Sequence, residues 1–188
     1  VGAGQMGTGI AEVSALAGFE VYLLDCAAAR LDAALEAIAA DLERQVERGR
    51  IEAAAVPGVL TRIRSGVDYA GFAGCQIAIE AAVEDEAVKK DILKRLCAVL
   101  PAEALIATNT STISVTRLAA VTDRPGRFIG THFMNPVQRM GLVELIRAIT
   151  TDEETYQIAH AFALRLGKTP VSAEDFPAFV VHRILMPM

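Results

Sequence analysis

The run Gly2-Ala3-Gly4-Gln5-Met6-Gly7 constrains this chain more than any other feature. Three glycines at G-x-G-x-x-G spacing suit a strand that turns sharply into a helix. The first glycine permits the turn, the second lets the backbone approach a pyrophosphate, and the third brings helix and strand close together. The helix that follows aims its N-terminal amides and the positive end of its dipole at that phosphate. Here the context agrees: a helical run Gln5–Ala17, then Gly18 as a C-cap, then the strand Glu20–Asp25. Asp25 lies 18 residues after Gly7, where a carboxylate accepts hydrogen bonds from the adenosine ribose hydroxyls. Gly2, Gly4, Gln5, Met6, Gly7 and Asp25 are therefore the expected cofactor-binding residues. A carboxylate at Asp25 repels a 2′-phosphate, which favours NAD over NADP, while the nearby Arg30 leaves that preference open.

Beyond this unit, short β-branched runs alternate with helical ones. Candidate strands are Glu20–Asp25, Leu60–Arg64, Gln76–Glu80, Ala104–Thr108, Arg127–Phe133 and Leu142–Ile146. Candidate helices are Gln5–Ala17, Ala28–Arg48, Glu86–Val99, Ser114–Ala120 and Asp152–Leu166. In the long second helix, Leu31, Leu35, Ile38, Leu42 and Val46 recur at helical spacing. Such alternation predicts right-handed βαβ units, hence an α/β, Rossmann-type, doubly wound and mostly parallel sheet. Between Phe133 and Leu142 there is no room for a crossover helix, so those two strands are expected to be antiparallel neighbours. After Lys168 a short extended piece leads to Phe176-Pro177 and the apolar run Ala178–Met186. Residues 1–175 are read as a dinucleotide-binding domain and 176–188 as the beginning of an all-helical second domain. The chain opens inside a glycine motif, with only the last residue of an expected first strand, so it is expected to be a trimmed sequence.

Composition narrows the function classes. Hydrophobic residues make up 53% of the 188, but the apolar runs are short and broken by charges, so no membrane span is expected. A net charge of -5 argues against a nucleic-acid surface. The cysteines, Cys26, Cys75 and Cys97, are odd in number and lack C-x-x-C spacing. They read as free thiols in a reducing compartment, by default the cytoplasm, rather than as a disulfide frame or metal site.

The chemistry is expected at the antiparallel turn. His132 and Glu144 are equidistant from Gln138, so a hairpin centred there sets them directly opposite each other. A histidine held by a carboxylate on one ring nitrogen has the other available to take a proton at neutral pH. Alcohol oxidation needs such a base while hydride leaves for a nicotinamide. Asn135, in the same loop, has two open roles: to hold the nicotinamide amide or substrate oxygen, or simply to form a turn before proline. Asn109-Thr110-Ser111-Thr112 lies between a strand and a helix, at the sheet edge where ligands bind. There Ser111 or Thr112 caps the helix, or Ser111 bonds the substrate hydroxyl or carbonyl. Glu84 and Lys89 lie at the same edge; the alternative for Lys89 is a solvated helix charge beside Lys90, Lys94 and Arg95. His160, within a separate amphipathic helix, is read as an ordinary helix residue.

Taken together, these residues resemble the 3-hydroxyacyl-CoA dehydrogenase family, particularly its short bacterial 3-hydroxybutyryl-CoA dehydrogenases. The resemblance rests on Val1–Gly9, Glu80-Ala81-Ala82-Val83-Glu84, Thr108-Asn109-Thr110-Ser111, His132-Phe133-Met134-Asn135-Pro136, Leu142-Val143-Glu144 and the tail Val180–Met188. It implies a two-domain enzyme, usually a homodimer through its helical domain, that moves hydride between NAD and the C3 hydroxyl of an acyl-CoA substrate. It also implies His132 as general base, Glu144 as its orienting partner, and Ser111 and Asn135 lining the site. Gly2, Gly4, Gly7, Asp25, Glu84 and Lys89 match the family's NAD-contacting positions. Arg48 and Arg50 are the nearest candidates for its CoA contacts, since arginine forks onto phosphate. The tail departs from the family pattern Pro-Gly-Phe-Val-x-Asn-Arg: Ala178 replaces the glycine, and His182 stands where the family has an asparagine near the substrate. Two alternatives stay open: a related dehydrogenase of a non-thioester 3-hydroxy or sugar acid, and a dinucleotide-binding protein without turnover.

Overall fold

The computed structural model describes residues 1–177 and 179–185, with the backbone alone for His182 and Leu185. Seven strands and seven helices alternate in the described residues. Helix α1 (Gln5–Leu16) leads to β1 (Val21–Leu24), the long α2 (Ala28–Glu47), the short α3 (Val56–Thr61) and β2 (Ile63–Gly66). Next come β3 (Ile77–Glu80), α4 (Glu86–Val99), β4 (Leu105–Thr108), α5 (Val115–Ala119) and the hairpin strands β5 (Phe128–Phe133) and β6 (Leu142–Arg147). The chain continues through α6 (Glu153–Arg165), β7 (Thr169–Glu174) and α7 (Val181–Leu185).

The strands form a parallel pair, β1-β2, and a five-stranded sheet ordered β3-β4-β5-β6-β7. All neighbours run parallel except β5 and β6. Val1 and Gly2 link the two pieces. The Val1 amino group donates to Ile79 O at 2.7 Å, Ala81 N donates to Val1 O at 2.8 Å, and Gly2 N donates to Leu24 O at 2.7 Å. The glycine-rich turn therefore sits between the carboxyl ends of β1 and β3. Behind it lies a cavity of about 420 Å3 whose lining mixes Leu23, Ile79 and Phe162 with Glu20, Arg64 and Gln76.

Burial follows the sequence periodicity closely. In α2 the fully covered residues are Leu31, Ala34, Ile38 and Leu42, one face of a helix; Leu35 and Val46 are only half-buried. Every residue of β4 and β5 is buried, as expected of central strands covered on both faces. Helix starts are set by side-chain caps: Asp85 accepts from Val88 N at 3.0 Å, Ser114 from Arg117 N at 3.2 Å, and Asp152 from Thr155 N at 2.7 Å.

Three expectations needed correcting. The strand expected at Leu60–Arg64 begins at Ile63, because Val56–Thr61 forms a helix with Pro57 in its first turn, where proline's missing amide is not needed. The extended piece after Lys168 is a full strand, β7, in parallel register with β6 from Leu142↔Thr169 to Arg147↔Glu174. The final helix begins at Val181, not at Ala178; Ala178 and the end of the expected run, Met186–Met188, lie outside the described residues.

Candidate active site

Each glycine of the first turn meets a different steric demand. Gly2 has φ 96°, and a Cβ there would lie 2.6 Å from Ala81 O. A Cβ on Gly7 would lie 1.8 Å from Gly2 O, so α1 packs onto the turn only because that position is bare. Gly4 differs: nothing lies within 4 Å of its virtual Cβ. The open space above Gly4 faces the start of α1, where no side chain caps the amides of the first turn, at Gln5 and Met6. An anionic group fits there, on amides and the positive end of a 12-residue helix.

Asp25, 6% exposed at the end of β1, ties this turn to its strand. Its Oδ2 accepts from Ala3 N at 2.9 Å and its Oδ1 from Ala27 N at 3.2 Å. Burial draws its pKa upward, but the amides of Ala3 and Ala27, the Cys26 thiol and the Arg30 charge outweigh it and hold it below the usual carboxylate range. A bare cradle, a helix start and an ionised carboxylate together fit a dinucleotide.

Across the sheet edge, the β5–β6 register pairs His132 with Glu144. His132 Nδ1 lies 2.7 Å from Glu144 Oε2, and His132 Nε2 lies 3.1 Å from Ser111 Oγ. Both paired residues are buried, His132 at 4% and Glu144 at 0% exposure. With Nδ1 donating to the carboxylate, Nε2 carries the lone pair and points to the serine hydroxyl. The second oxygen of Glu144 accepts from Val180 N and Val181 N, each at 2.9 Å, and so anchors the chain entering α7. The Phe179 ring meets the imidazole edge-on at 5.7 Å. Asn109 fixes β5 from the other side, its Oδ1 accepting from Phe133 N at 3.0 Å.

Ser111 is held in place by Glu84. Glu84 Oε1 accepts from the Thr110 hydroxyl, from Ser111 N at 2.9 Å, and from Thr112 N and Oγ1 at 3.1 Å. Burial pushes the Glu84 pKa up, but these donors and the Lys89 charge bring it below the usual range. Lys89 lies inside rather than at the open edge: at 1% exposure its Nζ donates to both oxygens of Glu80, at 2.8 and 3.0 Å, and sits 3.5 Å from Glu84. Glu80, fully buried, also accepts from Ala82 N and Thr108 Oγ1. Lys89 thus acts on the edge through Glu80 and Glu84, and sequence reasoning missed Glu80, whose partners come from three separate segments.

The remaining candidates lie on a loop and at a helix end. Asn135 is exposed in the β5–β6 loop, followed by a cis bond to Pro136. Arg48 and Arg50 are exposed at the far end of α2, where Gly49 at φ 64° stops the helix. The side chain of His182 lies outside the described residues. Among the described residues no cluster of His, Cys, Asp and Glu could hold a metal ion, and no helix is long and apolar enough to cross a membrane.

Residues 1–176 match the family described as 3-hydroxyacyl-CoA dehydrogenase, NAD binding domain. The chain belongs to this family. The NAD-binding domain of the 3-hydroxyacyl-CoA dehydrogenases accounts for the cofactor cradle, and NAD is its cofactor. The chain is 53% identical over all 188 residues to a 3-hydroxybutyryl-CoA dehydrogenase of Bradyrhizobium diazoefficiens, covering 64% of that protein. Its fold matches the crystal structure of (S)-3-hydroxybutyryl-CoA dehydrogenase from Ralstonia eutropha with a TM-score of 0.97 at 41% identity, covering the whole of this chain and 66% of that one. A diketoreductase structure, whose subject is dual catalysis of dicarbonyl compounds, matches at 32% identity and TM-score 0.91 over 99% of this chain and 67% of that one. The chain thus spans about two thirds of the length of these relatives.

Proposed function

We propose that this chain is the coenzyme-binding and base-carrying part of an NAD-dependent dehydrogenase that interconverts a 3-hydroxyacyl-CoA and its 3-oxoacyl-CoA. The observation that carries the reading is the placement of His132 between Ser111 and Glu144, at the same sheet edge as the glycine cradle. Bound NAD would supply the hydride acceptor, held by the turn Gly2–Gly7, by Asp25 at the ribose, and by Glu84 and Asn135 at the other end. His132 Nε2 takes the hydroxyl proton of the substrate, and returns it in the reverse direction. Glu144, buried with His132, keeps the proton on Nδ1 and stabilises the imidazolium that forms. Ser111, held by Glu84, donates to the oxygen at the reacting carbon.

Residues 1–175 serve in this reading as the NAD-binding domain and 176–188 as the start of a helical one through which two copies pair. Arg48, Arg50 and His182 are assigned to the CoA and acyl ends of the substrate. Three free cysteines, Cys26 among them exposed, suit a reducing cytoplasmic setting. The diketoreductase likeness supports a second reading, a non-thioester 3-oxo substrate on the same residues. Absorbance at the NADH band separates the two. Oxidation of NADH with acetoacetyl-CoA but not with free acetoacetate supports the thioester reading. Equal rates with both support the second.

A further inference from the structure

Glu12 belongs to no part of the site described so far, yet it is 0% exposed in the middle of α1. One oxygen, Oε1, accepts from Gln45 Nε2 in α2 at 2.8 Å; the other, Oε2, accepts from Gln138 Nε2 at 2.8 Å. Gln138 lies in the β5–β6 loop, three residues beyond Asn135. One turn earlier on α1, a Cβ on Gly9 would lie 2.9 Å from Val137 Cβ and 3.1 Å from Gln138 Oε1. The coenzyme helix and the loop are thus in direct contact, with a bare glycine allowing the approach. On the loop's other side, the buried Lys168 donates from Nζ to Val137 O and to Met140 O, the latter at 2.9 Å.

A carboxylate buried between helices is costly, and an apolar residue of similar size would serve stability better. We propose that Glu12 is a positioning residue, holding Gln138 from the coenzyme helix and so fixing the loop that presents Asn135 to the reacting groups. This rests on the dehydrogenase reading, in which Asn135 touches nicotinamide or substrate. The groups facing Glu12 are Asp41 and Gln45 from α2 and Gln138 from the loop, with Arg44 paired to Asp41 and Lys168 beyond the loop. Burial raises the Glu12 pKa to about 7, Asp41 adds to that, and the amides of Gln138 and Gln45 oppose it. Because the Gln138 bond favours the charged form, ionising Glu12 must equally favour the Gln138 bond. The loop should therefore tighten as pH rises through 7.

The test is amide hydrogen exchange at Arg139 and Met140, whose N–H groups both donate to Pro136 O at 3.0 Å. It is run on the full chain for wild type, Glu12→Gln, Glu12→Leu and Gln138→Ala, beside kcat and KM for acetoacetyl-CoA reduction. Gln138→Ala and Glu12→Leu are expected to speed exchange at these two amides about tenfold, equivalent to about 1.4 kcal/mol. They are expected to lower kcat with coenzyme KM kept. Glu12→Gln, which can still accept from Gln138, restores both and removes the pH dependence near 7. Wild-type exchange in Gln138→Ala and Glu12→Leu overturns the brace. Faster exchange with unchanged kcat overturns the positioning role. NAD binding with no turnover in any form overturns the catalytic half of the proposal for this chain and leaves coenzyme binding alone, while the exchange data still decide the brace.

Discussion

Nδ1 of His132 lies 2.7 Å from Oε2 of Glu144, the two residues facing each other across the antiparallel β5–β6 pair. The pairing dictates which nitrogen can accept a proton. The same carboxylate accepts the amides of Val180 and Val181, so one buried group both orients the base and secures the chain that leaves the sheet.

Glu144→Gln should separate charge from shape. The amide can donate to Nδ1, which drives the ring to the tautomer with its proton on Nε2. Turnover is expected to fall roughly 10²–10⁴-fold, the range of general-base catalysis, with coenzyme affinity kept. Steady-state kinetics beside calorimetric NAD titration checks this. Retained kcat would mean the carboxylate does not set the tautomer.

The glycines should divide by what surrounds them. Gly7→Ala places a methyl group against Gly2 O and is expected to unfold the chain or displace the turn. Gly4→Ala meets nothing within the protein, so its melting temperature should stay near wild type, within about 0.5 kcal/mol. NAD affinity should nevertheless drop, because the methyl group occupies the cradle. Thermal melts and NAD titration of both variants distinguish a coenzyme site from a tight turn alone.

Asp25→Ser should relax coenzyme choice. Removing the carboxylate leaves the Arg30 charge near the ribose end, so the NADP-to-NAD ratio of kcat/KM is expected to rise. Binding of both should weaken, since Ala3 N and Ala27 N lose their acceptor. An unchanged ratio would show that Asp25 only braces the turn.

Stability against pH should carry two opposite signatures. Glu12, raised from 4.5 to about 7 in the fold, contributes stability that is complete below its unfolded pKa and lost as pH rises through 7. The effect is on the order of 3 kcal/mol. Glu84, whose pKa is lowered, contributes stability present above its unfolded pKa and lost as pH falls through the folded one. Melting temperatures from pH 2 to 8 should thus fall less toward high pH in Glu12→Gln than in wild type, and should fall less on acidification below the ordinary carboxylate range in Glu84→Gln.

Legibility from the sequence followed the range of the interactions. The His132–Glu144 register follows from hairpin length, because strand side chains alternate and a loop fixes which residues face. The glycine turn and Asp25 were legible because one βαβ unit contains them. Strand β7 was not: only Ala173 of its six residues is buried, so it lacks the apolar run that marks a strand, and Pro170 sits within it. The roles of Glu80, Lys89 and Glu12 were hidden for another reason. Charged residues read as solvated until their partners are known, and Gln138 lies 126 positions from Glu12. Asn109 gave only a turn signal, with no hint that it pins Phe133.

The central claim is that His132 removes the proton while the glycine cradle independently holds the coenzyme. The measurement is NADH-linked turnover of acetoacetyl-CoA by His132→Gln, paired with NAD affinity by calorimetry on the same sample. Loss of turnover by roughly 10²–10⁴-fold with unchanged NAD affinity is the predicted result. Turnover at the wild-type rate would contradict it, and another group would have to be the base.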